Sequence, residues 1–102
     1  MSESPSVLLD LNNPVFQDDL FSLEKDEAVR VLAILRRVRK LTWSEVYKDK
    51  GLRWELVQSR NGPHGARLYT VRVSVKFRAL VCREGQFMRF LSLHPDHDSA
   101  YQ

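Results

Sequence analysis

Three apolar runs follow one another with almost no linker between Leu68 and Tyr101, and this stretch constrains the fold more than any other part of the chain. Arginines interrupt the runs, and a polar segment with histidines and a tyrosine closes the stretch. Apolar runs with period-two alternation, separated only by short polar turns, are typical of antiparallel strands. We therefore predict a small antiparallel sheet of three to four strands in the C-terminal part of the chain.

The last two strands are predicted to form a hairpin whose turn is Glu84-Gly85, because glycine readily adopts the positive φ that two-residue turns require. This turn would place Val81 opposite Met88 and Ala79 opposite Phe90. The register of a hairpin decides which side chains meet across the strands, so it is a specific prediction about the site as well as the fold.

Alternation of side chains along each strand predicts two different faces of the sheet. The apolar face would carry Phe77, Ala79, Val81, Met88 and Phe90, and the other Arg78, Leu80, Cys82, Phe87, Arg89 and Leu91. In the preceding run Tyr69, Val71, Val73 and Val75 alternate with Leu68, Thr70, Arg72 and Ser74. We expect the apolar face to lie under helices and the face with Arg78 and Arg89 to be partly open.

Ahead of this stretch, the pattern predicts one strand and two main helices. Val7 to Leu11 is a short apolar run that fits a strand of the same sheet. Asn13-Pro14 predicts the start of a short helical turn, because Asn caps a helix and Pro fits its first position. The clearest helix spans Leu23 to Leu41, with an apolar stripe at helical spacing and Ser22 as the candidate cap.

A shorter second helix is predicted from Trp43 to about Lys48, because Thr42 to Glu45 matches a capping box. Leu52 to Val57 fits a strand, and Arg60 to Ala66 contains the glycines and proline of a loop. The predicted fold is a single α+β domain over residues 1–102: a strand, two helices and then the antiparallel sheet, with the helices packed on one face. Trp43 and Trp54 are interpreted as core residues.

Composition is that of an ordinary globular domain, with 43% hydrophobic and 28% charged residues in 102. No apolar run approaches the roughly 18 residues that a membrane span needs, and the start of the sequence lacks a basic and then apolar signal. The single cysteine, Cys82, cannot form an internal disulfide and fits a reducing compartment. We expect a cytoplasmic protein that does not associate with a membrane.

The charge is distributed unevenly along the chain. Residues 1–27 hold seven acids and one base, whereas the remainder holds 15 bases and six acids. Four of these bases, Arg36, Arg37, Arg39 and Lys40, gather at the end of the main helix. They would complement the helix dipole on a solvated surface, or form a basic ridge that contacts nucleic-acid phosphates. Both interpretations stay open at this point.

Common catalytic and cofactor motifs are absent from the sequence. There is no glycine-rich dinucleotide motif and no P-loop, and Cys82 within a strand is expected to be buried rather than reactive. His64, His94 and His97 could be combined into a metal site, but their spacing is not specific for one. We therefore predict neither a bound metal nor another cofactor.

The C-terminal half resembles the RelE/ParE superfamily of bacterial type II toxins. The segments that carry the resemblance are Tyr69-Thr70-Val71-Arg72, Phe77-Arg78-Ala79-Leu80-Val81 and His97-Asp98-Ser99-Ala100-Tyr101. In the family, an arginine on one strand is followed by an aromatic-Arg-aliphatic run, and the chain closes with a His or Arg shortly before a Tyr. The predicted order of strand, helix, helix and sheet is also the order found in the family.

This resemblance implies one of two activities, each with its own partner. RelE-like members cleave mRNA on the ribosome without a metal, and ParE-like members inhibit DNA gyrase; both bind a cognate antitoxin. Carried over by position, Arg72 and Arg78 would contact the scissile phosphate, while His97 and Tyr101 would complete the catalytic edge. Glu55 is a possible general base.

The basic residues supply the remaining candidates. Under the ribonuclease interpretation, the candidate RNA-binding residues are Arg36, Arg37, Arg39, Lys40 and Arg89. The candidate catalytic residues also have structural interpretations. Arg72 and Arg78 could pair with acids on the helices, His97 could cap the C-terminal turn, and Tyr101 could only pack the terminus. A binding domain of the same fold with no enzymatic role is the third alternative.

Overall fold

Residues 4–95, which the computed structural model describes, form an α+β structure with three helices and one five-stranded sheet. The helices are α1 (Pro14–Phe21), α2 (Lys25–Val38) and α3 (Trp43–Lys48); the strands are β1 (Leu8–Asp10), β2 (Glu55–Asn61), β3 (Arg67–Arg72), β4 (Arg78–Glu84) and β5 (Phe87–His94). Their order across the sheet is β1-β5-β4-β3-β2. The strands β2 to β5 pair antiparallel, whereas β1 pairs parallel with β5, so the sheet is mixed.

Helix ends follow the capping residues closely. Asn13 accepts a hydrogen bond from the Val15 amide and begins α1, as predicted. The predicted capping box of α3 between Thr42 and Glu45 is confirmed. The prediction that Ser22 caps the start of α2 is wrong. The amide and the hydroxyl of Ser22 both donate to the Asp18 carbonyl, so this residue ends α1.

As a result, α2 is shorter than the predicted span of residues 23–41. Glu24 is its N-cap and forms a capping box with Glu27. Its last residue is Val38, and Arg39 is the C-cap. The short helical turn predicted after Asn13-Pro14 is a helix of eight residues, so two main helices become three.

Helices cover one face of the sheet, as predicted. The main core combines helix residues with sheet residues from this face, among them Phe16, Val31, Leu35, Val38, Trp43, Val71, Ala79, Val81, Met88 and Phe90. The sheet residues of this set are those that alternation assigned to the apolar face. A smaller apolar cluster of Val57, Leu68, Leu80, Cys82 and Leu91 lies on the opposite face, which we call the helix-free face, because none of its members belongs to the three described helices.

The predicted hairpin register is wrong by two residues. The turn is formed by Gly85 and Gln86 rather than Glu84-Gly85, so Val81 pairs with Phe90 and Arg83 with Met88. Gly85 has a φ of 61°, and a two-residue turn of this kind places its glycine first. An even slip keeps every side chain on its predicted face, which is why the face assignments survive.

Two further differences concern the ends of strands. The strand β3 ends at Arg72, and a tight turn in which Phe77 donates to the Ser74 carbonyl replaces the predicted continuation. Val75 is consequently 76% exposed instead of paired in the sheet. The strand β2 begins at Glu55 rather than Leu52, because residues 51–53 form a turn in which Arg53 adopts a left-handed φ of 49°.

Candidate functional site on the helix-free face

Cross-strand pairing gathers polar residues at one end of the helix-free face. Arg78 on β4 lies between Arg72 on β3 and His94 on β5, and Glu55 on β2 pairs with Thr70 on β3. We call Glu55, Thr70, Arg72, Arg78, Ser92 and His94 the polar cluster. Residues from four neighbouring strands thus meet over one small area of the sheet.

Arg78 is the centre of this cluster and is buried, with 1% of its surface exposed. One guanidinium nitrogen, Nη2, donates to the Arg53 carbonyl at 2.7 Å and to the Thr70 hydroxyl at 2.8 Å. The same nitrogen lies 3.5 Å from a carboxylate oxygen of Glu55. The expectation that Arg78 lies on an open face is therefore wrong. Alternation predicts the side of the sheet but not whether that side is covered.

Arg72 is half-buried and lies directly opposite Arg78 on the neighbouring strand. Its Nε donates to the Ser74 carbonyl at 3.4 Å, which is a long hydrogen bond. Two like charges in a cross-strand pair destabilise a sheet, so an anion placed between Arg72 and Arg78 would relieve this repulsion. Of the two arginines that the sequence singled out, Arg72 is the one with solvent access.

Glu55 connects the cluster to the turn before β2. Its carboxylate lies 3.3 Å from Nε of Arg53 and 3.5 Å from Arg78, and its side chain is 40% exposed. A carboxylate oxygen can accept a proton from a substrate group that enters the cluster. The structure brings this possible general base to Arg78, one of the two arginines predicted to contact phosphate.

His94 is the functional candidate that sequence analysis missed, since it was considered only as a metal ligand. Its ring nitrogen Nε2 lies 2.8 Å from the Ser92 hydroxyl. Burial lowers the pKa of His94 below its ordinary value, with Asp19 acting to raise it and Arg60 to lower it. A lowered pKa leaves the imidazole neutral at pH 7, and a neutral imidazole can both accept and donate a proton. The signal that identifies His94 is its pairing with Arg78, which depends on the correct register.

The other predicted site residues are not all brought to the cluster. His97 and Tyr101 lie outside the described residues. The four bases at the end of α2 are exposed and lie in the helix layer, on the other face of the sheet: Arg36, Arg37, Arg39 and Lys40. One of them, Arg37, forms an ion pair of 2.6 Å with Asp49. Arg89 lies on the helix-free face, where its side chain contacts Asp10 at 3.6 Å and Glu84 at 3.4 Å.

The residues that the structure describes include neither a cluster of metal ligands nor an exposed thiol. Residues 4–95 contain no group of three His, Cys, Asp or Glu side chains that could hold a metal ion. Cys82 is buried as predicted, and burial raises the pKa of its thiol. A raised pKa disfavours the thiolate, which is the nucleophilic form. Among the same residues, none of the helices is long and apolar enough to cross a membrane.

Comparisons of the chain with models of protein families, with curated proteins and with solved structures find no match. A functional assignment therefore depends on the polar cluster and its chemistry.

Proposed function

We propose that this chain is the toxin of a bacterial type II toxin–antitoxin system, with a RelE/ParE-like fold, and that it cleaves mRNA on the ribosome without a metal. The observation that carries the proposal is the meeting of Arg72, Arg78, Glu55 and His94 on one face of the sheet. Such a toxin works in the cytoplasm, and its partners are the ribosome with its mRNA and a cognate antitoxin protein.

The proposed chemistry is attack of a ribose 2′-hydroxyl on the adjacent phosphate. This reaction needs a group that takes the hydroxyl proton, a group that protonates the leaving oxygen, and cations for the extra negative charge of the transition state. Glu55 can take the proton, and neutral His94 can act in proton transfer. Arg72 presents a guanidinium whose two donors match phosphate oxygens. Arg78 orients the Glu55 carboxylate, and its buried guanidinium adds positive potential to the cluster.

One observation favours the alternative of a gyrase inhibitor or a non-catalytic binding domain. Nη2 of Arg78 is occupied by the Arg53 carbonyl and the Thr70 hydroxyl, so this arginine serves the fold in the described conformation. The proposal therefore assigns direct phosphate contact to Arg72 and a positioning role to Arg78.

The test is to express the chain from a tight promoter in a bacterium and to map transcript ends. Translated transcripts should be cut within minutes, and a transcript without a start codon should stay intact. Arg72→Ala should lower cleavage by about 10²–10³-fold, the usual loss for one transition-state contact, whereas His64→Gln, outside the cluster, should leave it unchanged. Intact transcripts together with altered DNA supercoiling would replace this proposal with the gyrase alternative.

A further inference from the structure

Four aromatic rings form a continuous row on the helix-covered side of the sheet, and the sequence predicts only a core role for two of them, Trp43 and Trp54. Trp43, Tyr47 and Trp54 have mutual ring-centre distances of 5.4–5.8 Å, and Trp54 stacks on Tyr69 at 4.4 Å. Trp43 is buried, whereas Tyr47 is 51% exposed and the other two are half-buried. The row thus begins in the core and ends at the surface.

Arg83 fixes the exposed ring in place. Its guanidinium lies 4.4 Å from the centre of the Trp43 ring, and Nη1 donates to the Tyr47 hydroxyl at 2.7 Å. A second hydrogen bond joins Nε of Arg83 to the Gly85 carbonyl at 2.8 Å. A ring held in this way loses little conformational entropy when a planar ligand stacks on it.

Two open depressions flank Tyr47, with volumes of about 500 and 520 Å³. One is lined by Lys48, Asp49, Lys50, Arg53, Trp54 and Glu55, and the other by Ala66, Arg67, Tyr69, Arg83 and Gly85. We call the two depressions together the aromatic groove. Five of its lining residues are bases and two are acids, and Asp49 is already paired with Arg37.

This combination of rings and bases fits one kind of ligand. A single-stranded nucleic acid offers bases that stack on aromatic side chains and phosphates that contact lysine and arginine. A purely apolar partner would leave the lysines without partners, and a free anion would not use the rings. The basic ridge at the end of α2 is different, because the cavity there is lined by Arg36, Arg39 and Lys40 without an aromatic residue.

We propose that the aromatic groove binds single-stranded RNA, with bases stacked on either side of Tyr47 and the backbone along Lys48, Lys50 and Arg67. The choice of RNA rests on the proposed function. Glu55 lines the groove and is itself a member of the polar cluster, and Arg53 lines the groove while its carbonyl accepts a hydrogen bond from Arg78. Because β2 is an edge strand of the sheet, RNA bound in the groove can pass around this edge to the cluster on the helix-free face, so the groove determines which part of the RNA is presented there.

Both tryptophans of the chain belong to the row, so their fluorescence reports binding directly. The experiment titrates the purified full chain with a 12-nucleotide single-stranded RNA of mixed sequence, in the absence of ribosomes, at two or more salt concentrations. Saturable quenching is expected. Tyr47→Ala should weaken binding by about five- to 100-fold, the range for the loss of one stacked base. Tyr47→Phe keeps the ring and loses only the hydrogen bond from Arg83, so it should bind more tightly than Tyr47→Ala.

A thermal melt shows whether Tyr47→Ala still folds. If it does not, variants of exposed basic residues test the groove instead. Lys48→Gln/Lys50→Gln changes two basic side chains that line the groove and should lower the salt slope of log affinity by about 1.4, since each single-strand phosphate contact contributes about 0.7. Arg36→Gln/Arg39→Gln removes the same charge from the α2 ridge and should leave both affinity and slope nearly unchanged.

The outcomes separate this inference from the proposed function. Absence of quenching, or equal loss in the two double variants, would overturn the groove as the binding surface, whatever the result of the transcript mapping. Binding that follows Tyr47 and the two lysines, in a protein that cuts no transcript, would support the groove and overturn only the nuclease. Equally tight binding of a 12-base-pair DNA duplex would also overturn the inference, because paired bases cannot stack on the rings.

Discussion

The two faces of the sheet bury different kinds of side chain. The helix-covered face is filled by apolar residues such as Phe90, Val81 and Val71, together with the helices above them. The helix-free face has a five-residue apolar cluster, and beside it the buried Arg78 and Thr70. Burying a charge costs free energy unless every donor is paired. The first face therefore supplies most of the folding free energy, whereas the second holds a buried guanidinium fixed by hydrogen bonds, and this is a reason to look for function there.

The largest effect should come from the helix-covered face. Phe90→Ala removes a ring that packs 5.6 Å from Phe16, measured between ring centres, and leaves a cavity in the main core. Its expected cost is about 3–5 kcal/mol of unfolding free energy. The matched variant is Leu91→Ala, one residue along the same strand but in the smaller cluster, with an expected cost of about 2–3 kcal/mol. Urea denaturation measures both, and a larger loss for Leu91→Ala would reverse the proposed ranking of the two faces.

Arg78→Ala comes next and tests the cost of the buried charge. It would leave the Thr70 hydroxyl and the Arg53 carbonyl without the donor that they now have. We expect a loss of about 2–4 kcal/mol in unfolding free energy. If Arg78 were exposed on an open face, as the sequence led us to expect, its removal would lower the unfolding free energy by only about 0–1 kcal/mol.

The control for Arg78 is Arg72→Ala on the neighbouring strand. Arg72 is half-buried and makes one long hydrogen bond, so its removal should change stability by less than about 1 kcal/mol. Equal melting temperatures for Arg78→Ala and the unsubstituted protein would show that the buried contacts add no net stability. In that case Arg78 would be a candidate for direct phosphate contact again.

The alternation of side chains along the strands predicted which face of the sheet each residue occupies, but not whether that face is buried or open to solvent. The turn lies one residue later than predicted, which moves each cross-strand partner by two residues; an even change of partner keeps every side chain on its face, so Met88 and Phe90 were assigned correctly. The slip changes the partners, however. The predicted register would place Leu91 opposite Arg78, whereas the observed slip and the bulge at Leu91 place His94 there.

Other features of the site depend on contacts distant in sequence, which a local pattern does not contain. The burial of Arg78 involves the Arg53 carbonyl, 25 residues away. The aromatic groove needs Tyr47 and Tyr69 beside Trp54, three residues from different parts of the chain. Caps and turns with side-chain signatures, such as Thr42 with Glu45, were predictable because their hydrogen bonds are local.

A smaller effect concerns pH and His94. Because burial lowers its pKa in the folded protein below the value of about 6.5 in the unfolded chain, the folded state binds fewer protons. His94 therefore contributes stability that is fully present above pH 6.5 and is lost as pH falls through its folded pKa. Between pH 7.5 and 5.5, the melting temperature should fall less for His94→Gln than for the unsubstituted protein. His64→Gln, an exposed histidine, is the control and should retain the full pH dependence. Identical slopes for all three proteins would show that burial of His94 does not affect its titration.

The smallest effect concerns backbone strain at Arg53, which contacts the polar cluster. Arg53 has a φ of 49°, a left-handed conformation that costs about 1–2 kcal/mol for a residue with a Cβ, and its carbonyl accepts the hydrogen bond from Arg78. Arg53→Gly and Arg53→Ala both remove the side chain and its contact with Glu55, so the difference between them isolates the strain. Glycine relieves the strain but adds freedom to the unfolded chain, so Arg53→Gly should be more stable than Arg53→Ala by about 0.5–1 kcal/mol. Chemical denaturation of the two variants measures this difference. An alanine variant at least as stable as the glycine variant would mean that the turn relaxes without strain, and that the Arg78 contact does not hold Arg53 in its left-handed conformation.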